Sequence, residues 1–218
     1  MTARMPRIEA LFIGAFLLAA CPVSVFVMVW WGMAALAMSG CVAVPDRAIA
    51  AVSLLALAAG AGVTALLVGR LVGAFYGLPL SVLVSAYLFW SLVALAVLMG
   101  LPAGNVALGI LPGIYMGRRL RRQGADEIRA RRTWGRTAAF ASAVTGALSA
   151  AMGCLAVGDQ HTMQSLLAPA GLGALAETAA RRAGIVAVAV PALVLLQYAL
   201  TRVAARWAYG LGPIGGHA

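Results

Sequence analysis

Six apolar stretches, each close to the length needed to cross a lipid bilayer, dominate the sequence. A helix crossing about 30 Å of hydrocarbon needs roughly 20 apolar residues, at a rise of about 1.5 Å per residue. Of the 218 residues, 63% are hydrophobic and 10% are charged, whereas a soluble domain carries about 25% charged residues. We therefore predict an all-α, polytopic integral membrane protein, a single domain built as a bundle of about six transmembrane helices. The predicted spans are residues 8–33, 48–69, 80–99, 102–117, 137–157 and 183–201.

The start of the first span has the pattern of a lipoprotein signal peptide. Arg4 and Arg7 precede an apolar run that reaches Cys21. Apolar sequence continues past this cysteine to Trp30 and Trp31, where a mature lipoprotein would turn polar. We therefore interpret the segment as a retained helix.

Arginine is distributed unevenly between the two sides of this predicted bundle. All 16 basic residues are arginine, and with both termini inside only Arg47, Arg181 and Arg182 fall on the outer side. Basic residues concentrate in the cytoplasmic loops of membrane proteins. The pattern predicts a multi-pass protein of the cell inner (cytoplasmic) membrane with cytoplasmic N- and C-termini. It also predicts an arginine-rich cytoplasmic loop at 118–136 and an outer loop at 158–182.

The arginine-rich loop predicts contact with something negatively charged. Anionic lipid headgroups are one partner, and an acidic membrane or cytoplasmic protein subunit is the other. Nucleic acid is disfavoured, because the positive charges gather at predicted helix ends. The contact residues predicted here are Arg118, Arg119, Arg121, Arg122, Arg131 and Arg132.

Two ladders of glycine at four-residue spacing predict close helix packing. Lipid gives helices no hydrophobic reason to associate, so small residues that allow close backbone approach supply the attraction. Packing inside the bundle and association with a partner remain open as alternatives. The first ladder is Gly69, Gly73 and Gly77, and the second is Gly109, Gly113 and Gly117.

The start of the fourth span is the strongest candidate for a binding site. This span is short, about 24 Å as a helix, and it contains Pro102, Gly104, Asn105 and Pro112. Interrupted helices at membrane depth occur where they are buried in protein or line a cavity, and transporters bind solutes at such places. Asn105 is then a solute ligand. The alternative is that Asn105 caps the fourth helix.

Residues for catalysis or metal binding are scarce. The two histidines, His161 and His217, lie in a loop and in the tail, so paired histidine ligands for a metal or haem are missing. No nucleotide-binding loop or activated nucleophile is evident. We predict no metal, no cofactor and no enzymatic activity. A disulfide between Cys41 and Cys154 remains open.

Two functional classes fit these features. The first is a small-solute binding or translocation component of a membrane transporter, working with partner subunits and taking an uncharged or weakly polar solute. The second is a non-catalytic accessory or structural subunit of a larger membrane complex. The chain has almost none of the charged residues that a self-sufficient transporter uses for coupling, so both classes imply partner subunits.

Overall fold

The computed structural model describes residues 7–40, 43–98, 103–167, 171, 173 and 177–211. Within these ranges the chain is helical and contains no strand, which confirms the all-α prediction. Pro102 and Cys41 fall outside the described residues. The helices in chain order are α1 (Arg7–Met38), α2 (Asp46–Ala74), a 3₁₀ turn (Phe75–Gly77), α3 (Leu80–Val97), α4 (Ala103–Leu108), α5 (Ile110–Arg122), α6 (Glu127–Gly158), α7 (Gln160–Leu167) and α8 (Ala179–Gly210).

Five of the described helices are long and apolar enough to cross a membrane. They are α1, α2 with its 3₁₀ turn, α3, α6 and α8. The fourth predicted span differs, because it is divided at Gly109 into the short helices α4 and α5. A count of six spans therefore stays a prediction.

The segment predicted as a cytoplasmic loop at 118–136 is mostly helical, and its cytoplasmic location stays a prediction. Helix α5 continues through Arg122, and α6 begins at Glu127. The turn between them is a Schellman motif. Gly124 adopts a left-handed φ of 62°, and the backbone N–H groups of Gly124 and Ala125 donate to the carbonyls of Arg121 and Leu120 at 3.2 and 3.1 Å. Such a motif ends α5 without leaving its last carbonyls unpaired.

The chain divides into two compact units, and the prediction of a single domain stays a prediction. Residues 7–78 belong to the N-terminal unit and residues 79–211 to the C-terminal unit. The N-terminal unit is an antiparallel pair of α1 and α2. A methyl group added at Gly60 would meet Pro22 and Val25, so small residues allow close packing here. The Tyr76 hydroxyl donates to the Glu9 carboxylate at 2.6 Å.

The C-terminal unit is built around α5, α6 and α8. Helices α5 and α6 form an antiparallel hairpin through the Schellman turn. Helix α8 packs against both and runs parallel to α5, because Gly109, Gly113 and Gly117 meet successive turns of α8. Helix α3 packs beside these three helices, and the centre of its Tyr87 ring lies 5.7 Å from the centre of the Phe140 ring of α6.

Two buried arginines pair with the ends of helices in the C-terminal unit. Arg118 of α5 donates to the carbonyl of Leu211, the C-cap of α8, at 2.8 Å. Arg182 of α8 donates to the carbonyl of Val157, in the last turn of α6, at 3.1 Å. Cations are favoured at helix C-termini, where carbonyls lack partners. Each arginine therefore stabilises a helix to which it does not belong.

Candidate functional site

The interior of the C-terminal unit is polar, although its helices are strongly apolar. The largest fully buried side chains of this unit carry amides or hydroxyls and no charge. We call the following residues the polar cluster: Ser91 of α3, Asn105 of α4, Thr145 of α6, and Gln197 and Thr201 of α8. Each is 0% exposed.

Hydrogen bonds join three helices inside the polar cluster. The Thr145 hydroxyl donates to the Gln197 carbonyl oxygen at 3.4 Å. The Gln197 amide donates to the Thr201 hydroxyl at 2.9 Å, and that hydroxyl donates to the backbone carbonyl of Gly109 at 2.9 Å. Gln197 is therefore central to the contacts among α5, α6 and α8.

The Gln197 side chain packs against the break between α4 and α5. A methyl group added at Gly109 would overlap the Gln197 amide, so the absence of a side chain makes room for that amide. Three residues later, Pro112 removes a backbone donor and leaves the Leu108 carbonyl without its usual helical partner. Glycine and proline together explain why the helix divides here.

Asn105 is the polar side chain with the least hydrogen bonding. It is fully buried, and within the described residues neither its amide nitrogen nor its carbonyl oxygen has a hydrogen-bond partner. It is also the third residue of α4, not the residue before it. The capping alternative gains no support, because the side chain does not bond to its own helix end.

Leaving a buried amide unpaired is unfavourable. A buried donor or acceptor without a partner costs roughly 1–3 kcal/mol, and each such group in a native structure needs an explanation, such as an unseen water or ligand. The buried hydroxyls of Ser142 and Ser149 also have no hydrogen-bond partner among the described residues. They lie one helical turn either side of Thr145, on the same face of α6.

The remaining predicted site residues have different surroundings. Gly104 is half-buried, and an added methyl group would overlap the side chain of Leu98, the C-cap of α3, and would lie close to Ala94 of α3. Pro112 is half-buried within α5. The structure therefore places Gly104 and Asn105 together on α4, with Pro112 just past the break.

The two glycine ladders have opposite environments. Methyl groups added at Gly113 and Gly117 would meet the Thr201 and Ala205 carbonyls of α8, so this ladder allows the α5 and α8 backbones to approach closely. The first ladder makes no such contact. At Gly69, Gly73 and Gly77 an added methyl group would have no described atom within 4 Å. These glycines lie on an exposed face of α2 and its 3₁₀ turn, so a role of the first ladder in association with a partner stays a prediction.

Arg118 also requires correction as a lipid or partner contact, since it is 8% exposed and bonds within the chain. The Arg121 guanidinium lies 5.7 Å from the centre of the Tyr209 ring, and Arg119 similarly lies 5.9 Å from that of Tyr115. Arg131 pairs with Glu127 one turn earlier.

Arg122 and Arg132 are exposed, as Arg121 and Arg131 are. Contact of these exposed arginines with anionic groups stays a prediction, and the buried Arg118 lies outside this exposed surface.

The segment predicted as the outer loop, residues 158–182, contains the helix α7. The Asp159 carboxylate accepts from the backbone N–H groups of His161 and Thr162 at 3.1 and 3.2 Å, which caps α7. Hydrogen bonds from Thr162 and the His161 backbone hold the pKa of Asp159 below its usual value. Among the described residues, no three His, Cys, Asp or Glu side chains converge. Cys154 is exposed as a free thiol.

Sequence reasoning did not assign Thr145 and Thr201 to the site. Thr201 follows Gln197 by four residues, and this spacing places two polar side chains on one helix face. The spacing is therefore a usable signal for a polar interior.

Comparison of the chain with protein-family models, with curated proteins and with solved structures finds no match.

Proposed function

We propose that the chain is a multi-pass protein of the cell inner membrane that binds a small uncharged solute as a component of a transporter. The apolar surface supports the membrane location. Leu66 of α2 is 86% exposed and Val188 of α8 is 73% exposed, and many other large apolar side chains are exposed with them. Water-soluble monomers rarely expose contiguous apolar surface on this scale.

One observation carries the solute proposal: the Asn105 amide, one turn before a helix break, is fully buried and has no hydrogen-bond partner among the described residues. An unpaired donor and an unpaired acceptor on one side chain match a ligand that itself has both a hydrogen-bond donor and a hydrogen-bond acceptor. The cluster contains no charged side chain, so a charged solute would have nothing to offset its desolvation. Helix breaks at membrane depth recur at solute sites of transporters. The solute class that fits is small and neutral, with amide or hydroxyl groups.

The charge distribution supports partner subunits. All 6 acidic residues of the chain lie near the predicted ends of apolar stretches or in connections. Coupling to protons or cations usually uses carboxylates within the membrane. An energising partner would supply the coupling that this chain lacks.

The exposed arginines favour a second candidate, a non-catalytic accessory subunit of a membrane complex. Arg122, Arg129 and Arg132 extend from α5 and α6 and suit an acidic partner. This role requires no small molecule at Asn105, so solute retention separates the two candidates.

Purification in a gentle detergent tests the proposal. We expect a neutral small molecule and at least one additional protein chain to co-purify, both identified by mass spectrometry. Recovery of partner chains with no retained small molecule would favour the accessory role. Recovery from the soluble fraction after cell lysis would contradict the membrane location.

Thiol labelling tests the proposed orientation. In a variant with Cys21, Cys41 and Cys154 replaced by alanine, a cysteine at Gly124 should be shielded from an impermeant thiol reagent in intact cells. A cysteine at Gln160 should react, because it lies at the opposite end of α6. Lysed cells provide the control, since both positions should then be labelled. Labelling of the Gly124 position in intact cells would reverse the orientation.

A further inference from the structure

Helix α8 carries two exposed arginines near its C-terminal end. Arg202 and Arg206 are four residues apart, so their side chains leave the helix on the same side. In the described part of the chain, neither guanidinium has a carboxylate within ion-pair distance. Two like charges at this spacing repel each other. A shared anion would relieve that repulsion.

A shallow groove includes the second of these arginines, Arg206. Its lining residues are Val203, Arg206, Trp207, Gly210 and Leu211. Val203 is 64% exposed and Trp207 is 59% exposed. Tryptophan is enriched where a helix passes the lipid headgroups, because its ring is apolar and its N–H is polar. The groove therefore combines a positive charge with an aromatic side chain suited to the headgroup level.

An apolar stripe continues from the groove towards the middle of α8. Leu196 and Val203 lie seven residues apart, two turns along one face, and Leu196 is 48% exposed. The opposite face of α8 is occupied, because Thr201, Ala205 and Ala208 are 0% exposed. A hydrocarbon chain can lie along this stripe, whereas an acidic soluble partner would bury it only by contributing apolar surface of its own.

We infer that this face of α8 binds an anionic phospholipid. The phosphodiester lies between Arg202 and Arg206, where two guanidinium groups can each donate hydrogen bonds to it. Trp207 lies beside the headgroup, and an acyl chain follows Val203 and Leu196. The inference rests on the proposed membrane location and is independent of the solute site.

Lipid binding to purified protein, measured by native mass spectrometry, tests the inference. The probes are phosphatidylglycerol, which is anionic, and phosphatidylcholine, which is zwitterionic. The double variant R202Q/R206Q should bind phosphatidylglycerol roughly 30-fold more weakly than the unaltered chain. This follows from about 1 kcal/mol for each arginine at an anionic surface and about 1.4 kcal/mol for each tenfold change.

The control is R70Q/R136Q, which removes the same charge from exposed positions of α2 and α6 that have no assigned binding role. It should retain the tight phosphatidylglycerol complex. Equal weakening by both double variants would show diffuse attraction and overturn the site. Equal binding of the two lipids by the unaltered chain would overturn it as well, as would displacement of the lipid by a polyglutamate peptide.

Flotation with liposomes distinguishes failure of the inference from failure of the proposed membrane location. Liposomes of phosphatidylcholine alone are used, so that insertion does not depend on anionic lipid. If the unaltered chain does not float with them, the membrane location fails. If it floats and the two double variants bind phosphatidylglycerol equally, only the α8 site fails.

Discussion

Replacing Gly113 by leucine should separate α5 from α8 and destabilise the C-terminal unit by more than about 3 kcal/mol. A methyl group at this position already overlaps the Thr201 carbonyl and would lie 3.2 Å from the Ala204 methyl carbon. The atoms that leucine would meet belong to the backbone and to a short alanine side chain of α8, so no flexible side chain can move aside to make room for it. The Thr201 bond to the Gly109 carbonyl should also be lost. The measurement is the thermal unfolding midpoint of the purified protein in detergent, with a fall of about 6–12 °C expected at 2–4 °C per kcal/mol.

Gly73→Leu is the matched control, because it makes the same chemical change in the other ladder. Nothing described lies within 4 Å of a methyl group added there. Leucine also has the better helix propensity, by up to about 1 kcal/mol. The midpoint of Gly73→Leu should therefore stay the same or rise. A fall equal to that of Gly113→Leu would remove the argument that α8 is what distinguishes the two ladders.

The long helices were predictable from the sequence, because an apolar stretch of this length can adopt few other structures. A backbone placed in lipid must satisfy its hydrogen bonds internally, which favours helices. The helix ends were less predictable. Helix α6 begins at Glu127, ten residues before the predicted start of its span, because the Asp126 carboxylate caps it by accepting the Arg129 backbone N–H at 2.8 Å. A span predicted from hydropathy ends where charged residues begin. The helix itself can extend further, because arginine and glutamate are good helix formers.

The division of α4 from α5 was partly predictable from the sequence. Which of the two glycine ladders packs closely against another helix was not. Pro112 and the neighbouring glycines indicated an interrupted helix. Both ladders have the same four-residue spacing, so local sequence could not distinguish them. The difference lies about 90 residues further along the chain, where Thr201, Ala204 and Ala205 present small residues to the second ladder.

Arg118 shows that local sequence was equally unable to predict whether a charged side chain is exposed or buried. Its position within an arginine run predicted exposure, yet it reaches the carbonyl of Leu211, 93 residues away. A long-range hydrogen bond of this kind depends on how α5 and α8 pack, which no local pattern reports. The polar cluster was visible only as isolated residues, and its connection through Gln197 required the packed helices.

Asn105→Leu should abolish solute retention while leaving the protein folded and more stable by roughly 2 kcal/mol. Leucine has the same number of side-chain heavy atoms as asparagine, so the packed position can accept it. The substitution also removes a buried donor and acceptor that have no partner among the described residues, each of which costs roughly 1–3 kcal/mol. A residue that lowers stability in the empty protein and is required for ligand retention is expected at a binding site.

Two further variants make this prediction decisive. Asn105→Asp should destabilise strongly, because it places a carboxylate in a neutral, fully buried position. Ser53→Ala in α2 is the control, since it removes a different buried polar group, a hydroxyl with no partner among the described residues, far along the chain from the polar cluster, and should leave retention unchanged. The readouts are the unfolding midpoint and mass spectrometry of co-purified small molecules. If Asn105→Leu retains the same molecules as the unaltered chain, Asn105 is not a solute ligand. If it instead lowers stability by several kcal/mol, the Asn105 amide has a structural partner, and the case for a solute at this position is lost.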